Sequence, residues 1–121
     1  VQETCKISVQ GVSTADYLHG PISALTADTQ AFIVAPSHMP ASSITEATVK
    51  IRATSSRIFW IGNGGTPEGD DIVLAGSNCD DEIASTIVDA IVLQRFALEF
   101  AVASGYDPDA PVGLSKVTLT N

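Results

Sequence analysis

Two short, unbroken apolar runs stand out along the chain. Ala31-Phe-Ile-Val-Ala35 is stopped by Pro36, and Ile58-Phe-Trp-Ile61 is stopped by Gly62. Such runs between turn formers predict strands buried on both faces. Ile72-Val-Leu-Ala75 predicts a third strand. Between the first two, Ser43-Ile-Thr-Glu46 has the form of a capping box. It predicts a helix to Ala53 with Ile44, Ala47, Thr48 and Ile51 on one face. Asp80 and Asp81 suit the positive end of a helix dipole and open a long helix to about Ser104, closed by Gly105. That helix is apolar on nearly every side, from Ile83 and Ile87 to Phe100 and Val102, which predicts a buried helix. Asp89, Arg95 and Glu99 interrupt it and argue against a membrane span. Residues 7–12 alternate apolar and polar, predicting a short half-buried strand. His19-Gly-Pro21 predicts a turn into a short helix through Leu25. Buried strands alternating with helices predict an α/β fold, a three-layer αβα sandwich around a mainly parallel sheet.

Composition narrows this picture. The chain has 121 residues, of which 45% are hydrophobic, and this predicts one domain with a sizeable core. Val1-Gln-Glu-Thr-Cys-Lys6 reads as the middle of a helix, so the sequence is expected to start inside a larger fold, truncated at its N-terminus. Residues 106–121, with two prolines and no helical period, are expected to form an extended tail. Fourteen acids against six scattered bases give a net charge of −8. A nucleic-acid binder needs a basic stripe, so that role is excluded, and an anionic membrane surface is disfavoured for the same reason. Cys5 and Cys79 make no disulfide framework and are expected to be reduced, in keeping with a cytoplasmic protein.

Candidate chemistry is sparse. The Gly62–Gly69 loop contains Glu68, is followed by Asp70 and Asp71, and feeds a strand; these acids repel phosphate. It is read as a flexible connection rather than a phosphate cradle. The histidines, His19 and His38, have no metal-ligand spacing, so no metal and no cofactor is expected. His19, just before a helix start, would sit by partial positive charge that favours its neutral form, suited to moving a proton. Lys116 in the tail is either a solvated lysine or, in a closed pocket, a group that engages a carbonyl. Glu3 taken alone is a surface carboxylate.

Three stretches together resemble the sugar isomerase (SIS) domain family, in particular the second subdomain of its two-subdomain members. They are Val1-Gln-Glu-Thr4, then Tyr17-Leu-His-Gly-Pro-Ile-Ser-Ala-Leu25 with Phe32-Ile-Val-Ala-Pro36, then Gly105-Tyr-Asp-Pro-Asp-Ala-Pro111 with Leu114-Ser-Lys-Val-Thr118. The family's glutamate stands sixteen residues before the His-Gly-Pro histidine, and Glu3 and His19 keep that interval. The resemblance implies an SIS-type, flavodoxin-like fold, of which residues 1–121 would be the C-terminal part of one domain. It also implies catalytic roles. His19 opens the sugar ring, Glu3 moves a proton between carbons 1 and 2, and Lys116 engages the open-chain carbonyl. The implied partner is a sugar phosphate, fructose 6-phosphate or an amino-hexose 6-phosphate. A homodimer is implied in which the histidine reaches the neighbouring subunit's site. Two positions depart from the family pattern: Ala15-Asp16 replaces Gly-Glu, and Val112-Gly113 replaces Arg-Asn. The family's phosphate-holding loop belongs to the first subdomain.

Two functional readings follow. One is aldose–ketose isomerisation of a phosphosugar, as part of a larger protein and with or without gain or loss of an amino group. The alternative is a non-catalytic module that senses sugar phosphates. Retention of Glu3, His19 and Lys116 together favours the enzyme, because a sensor has no need of all three.

Overall fold

The unbroken apolar runs give the chain a sheet to fold around. The computed structural model describes residues 1–40, 42–54, 56–110, 112 and 113. Strands β1 (Gln30–Val34) and β2 (Arg57–Ile61) pair in parallel, with Phe32 opposite Phe59 and Val34 opposite Ile61. The short β3 (Ile72–Val73) pairs in parallel with the other edge of β2, giving a three-stranded sheet of order β1-β2-β3. The helices are α1 (Gln2–Cys5), α2 (Thr14–Leu18), α3 (Ser42–Ala53) and α4 (Glu82–Ala103), with a 3₁₀ turn at Pro21–Ala24. The fold is therefore mixed α/β, an all-parallel sheet with flanking helices.

The residues fall into two units, Gly11–Leu93 and a second made of Val1–Gln10 with Gln94–Asn121. The first holds the sheet. Its core is Ala35, Ile44, Ile51, Ile58 and Trp60, with Tyr17, Leu25, Ile33 and Met39 packed against it. Ile44, Ala47, Thr48 and Ile51 of α3 are all buried, so the helical face read from the sequence is the one that packs. The side chain of Ser43, and with it the expected capping box, lies outside the described residues. In the second unit Cys5 is buried at the end of α1, Lys6 ends that helix at φ 57°, and its ammonium donates to the Val112 carbonyl at 2.5 Å.

Three expectations need correction. Residues 7–12 form no strand, and Ile7, Val9 and Val12 are exposed. Alternation makes a strand only where a partner strand supplies hydrogen bonds, and none of the described strands pairs here. Strand β1 is not buried on both faces. Ala31 and Ile33 turn to the core, while Phe32 and Val34 stay 38% and 39% exposed, Phe32 stacking on Phe59 at 4.6 Å. Helix α4 is not buried all round either. Ile83, Ile87 and Ile91 are 73%, 57% and 55% exposed, whereas Ser85, Asp89 and Ala101 are buried. A helix apolar on every side offers no polar face to orient it.

The end of α4 matches its sequence signal. Gly105 has φ 79°, its N–H bonds the Val102 carbonyl at 3.0 Å, and the Tyr106 N–H bonds that of Ala101 at 3.0 Å. This is the paired closure that a left-handed residue allows. Just beyond it the described residues 108–110 form a turn, Asp107 accepting from the Asp109 amide at 2.9 Å, while most of the expected extended tail, residues 111 and 114–121, lies outside the described residues.

Candidate functional site

Glu3 lies in the single turn of α1, exposed, on an open depression also lined by Gln2, Thr4 and Lys6. His19 is exposed and closes α2, its N–H bonding the Asp16 carbonyl at 3.2 Å. The next residue, Gly20, caps the 3₁₀ turn, with Pro21 in its first position. The expected helix start is present, but His19 is also a helix end. The partial charges of the two ends act on it with opposite sign, so the sequence argument from one positive end does not hold. Its charged neighbour is Glu46 of α3. The Lys50 hydrogen bond, 2.7 Å long, and then the Lys50 charge hold the Glu46 carboxyl below its ordinary value, and His19 adds to this. Lys116 lies outside the described residues. Glu3 and His19 belong to different units, and each is placed within its own.

The position of His19 is set from upstream. Ser13 caps α2 by accepting from the Asp16 amide at 3.2 Å and donating to the Asp16 carboxyl at 2.7 Å. The Ser13 hydroxyl thus caps the helix and is itself held by the carboxyl of Asp16, a departure from the family pattern. This spacing was legible in the sequence and the reading missed it.

The first half of the Gly62–Gly69 loop is closely packed. Parallel strands normally need a crossover of a dozen or more residues, usually helical, yet β2 and β3 are joined without a helix. A Cβ on Gly62 or Gly64 would strike the backbone of Ala35 or Pro36, and one on Gly65 would enter the Trp60 ring. Gly62 also needs its φ of 87°. At the far end Asp71 accepts from Arg52 at 2.6 Å, the Trp60 indole at 2.8 Å and the Glu68 amide at 3.0 Å. Burial pushes the Asp71 carboxyl up, but these hydrogen bonds and the Arg52 charge outweigh it and hold the group below the usual aspartate value. An open cleft beside this cluster is lined by Arg52, Arg57, Glu68 and Asp70 at the amino ends of β2 and β3.

The carboxyl ends of the strands, where open parallel sheets bind ligands, carry residues that the sequence reading did not single out. Asn63 donates to the Ser77 carbonyl at 2.8 Å and to the Asn78 side chain. The Ser77 amide bonds the buried Asp89 at 3.1 Å, and the Ser77 hydroxyl accepts from the Cys79 amide at 2.9 Å. His38 faces Glu82 at 3.8 Å. The signal available was the cluster of glycines after a strand end. Among the described residues no group of three or more His, Cys, Asp or Glu side chains could hold a metal ion. No described helix is long and apolar enough to cross a membrane.

No family model matches the chain. Individual relatives do. The chain is 28% identical over 96% of its length to a protein of Leifsonia xyli named glutamine–fructose-6-phosphate aminotransferase (isomerizing). Proteins of the same name in Tropheryma whipplei and Bacteroides thetaiotaomicron are 30% and 24% identical, again over 96% of the chain. The chain spans about a fifth of the length of these relatives. It is distantly homologous to that portion of them, in keeping with an SIS-like segment.

Proposed function

We propose, from this distant kinship, that the chain is the SIS-like portion of an enzyme that isomerises a hexose 6-phosphate between its aldose and ketose forms. What supports the reading is the distant homology of the chain, over 96% of its length, to proteins named as isomerizing aminotransferases, taken together with the resemblance of the stretches around Glu3, His19 and Lys116 to the SIS pattern. The chemistry needs three groups. His19 passes a proton to the ring oxygen as the ring opens. Glu3 takes a proton from one of carbons 1 and 2 and returns it to the other through an enediol. Lys116 engages the carbonyl oxygen, where negative charge develops. An exposed His19 on a capped helix end supports a role reaching outward, toward a neighbouring subunit of a homodimer. The acceptor or donor of an amino group would sit elsewhere in the protein. The unpaired thiols of Cys5 and Cys79 suit a cytoplasmic setting.

Solvent exchange tests the reading. Fructose 6-phosphate incubated with the full protein in D₂O should take up deuterium at carbon 1, followed by proton NMR. Glu3→Gln should slow that uptake by ~10²–10⁴-fold, the usual range for a positioned acid–base group. Uptake that is unaffected by Glu3→Gln contradicts the assignment.

A further inference from the structure

Asn63-Gly64, just after β2, is the one Asn-Gly pair in the sequence. A glycine leaves the amide nitrogen after an asparagine free to approach the asparagine side chain, so such pairs lose ammonia readily in an open chain. We infer that Asn63 is a deamidation site that the fold holds closed, and that its conversion frees the turn at Ser77 and Asn78. The reaction has one nucleophile. The Gly64 nitrogen gives its proton to solvent base and bonds to the Asn63 Cγ. The Cγ–Nδ2 bond breaks, and Nδ2 leaves as ammonia with a proton from solvent. The five-membered imide then takes up one water, which opens it to aspartate or isoaspartate.

In the fold that nucleophile is committed. The Gly64 N–H donates to the Ala35 carbonyl at 2.8 Å. The leaving group is held as well, Nδ2 of Asn63 donating to the Ser77 carbonyl at 2.8 Å and to the Asn78 side chain. Asn63 is exposed, so water and base reach it, and the protection rests on these bonds rather than on burial. Neither residue of the pair is replaceable without loss. A Cβ on Gly64 would stand 2.3 Å from the Pro36 carbonyl oxygen, and the Asn63 amide ties the glycine loop to the Ser77 turn. The fold thus keeps a chemically labile pair for its geometry. Deamidation replaces the donating amide by a carboxylate, which faces the Ser77 carbonyl oxygen, acceptor against acceptor. The turn at the carboxyl edge of the sheet is then released.

This site uses none of Glu3, His19 or Lys116, so its failure and the failure of the isomerase reading are separate results. The test follows amide-to-acid conversion at Asn63 by peptide mass spectrometry, in the full protein held in mildly alkaline buffer with and without unfolding concentrations of urea. The folded protein should convert at least about tenfold more slowly, because reaction waits on local opening. Hydrogen exchange at the Gly64 amide of the folded protein should be slowed by a similar factor, since the same opening frees that N–H. Both measurements need only the unaltered protein. Asn63→Asp should speed exchange at the Ser77 and Cys79 amides, which are bonded around that turn, while the amides between β1 and β2 stay protected. Equal conversion in folded and unfolded protein, slowed conversion beside a freely exchanging Gly64 amide, or unchanged Ser77 exchange in Asn63→Asp overturns the inference.

Discussion

Asp71 shows how one side chain can hold a helix-free crossover. It ties Arg52 of α3, Trp60 of β2 and the Glu68 amide to one carboxyl. Asp71→Ala leaves the Arg52 and indole donors short of an acceptor and should cost ~1–3 kcal/mol in urea unfolding. Because the folded carboxyl is held below its ordinary value, its stabilisation is present above the unfolded value of roughly 3.9 and is lost as pH falls through the folded one. Unfolding curves taken from neutral to acid pH should therefore show a shallower acid decline in Asp71→Ala than in the unaltered protein. Gly65→Ala drives a methyl into the Trp60 ring and should destabilise by ~1–3 kcal/mol, with a change in tryptophan fluorescence. None of this was legible beforehand. Asp71 reads in sequence as one of a run of acids, and only folding places Arg52 and Trp60 around it.

Elements were more legible than their faces. Each of the three strand runs and both longer helices is where the apolar pattern puts it, because period and bounding glycines or prolines report local conformation directly. Which side is covered depends on what packs against it, and an all-apolar segment carries no such information. Helix α4 makes the point measurable. Ile58 is fully buried and Ile87 is 57% exposed, although both stand in equally apolar stretches. Ile58→Ala should cost ~2–5 kcal/mol. Ile87→Ala should stay within ~0.5 kcal/mol, as surface substitutions do. Denaturant titration of the two variants separates the cases, and a large loss at Ile87 would mean that this face of α4 is covered.

At the scale of the whole molecule, the candidate site was legible only as a pattern of three residues. The spacing of Glu3 and His19 is a property of the sequence. Their mutual geometry depends on two separately packed units, and Lys116 lies outside the described residues. Composition argued against a basic stripe for nucleic acid but could not choose a sugar. The claim that the three residues form one isomerase centre is therefore best tested by their interdependence. The decisive measurement is the rate of fructose 6-phosphate isomerisation by the full protein, compared with Glu3→Gln, His19→Asn, Lys116→Ala and the triple variant, all checked for folding by circular dichroism. If the three act as a unit, each single substitution lowers turnover by ~10²–10⁴-fold and the triple falls little further. Absence of isomerisation by the unaltered protein, or folded single variants that keep its rate, would contradict the account.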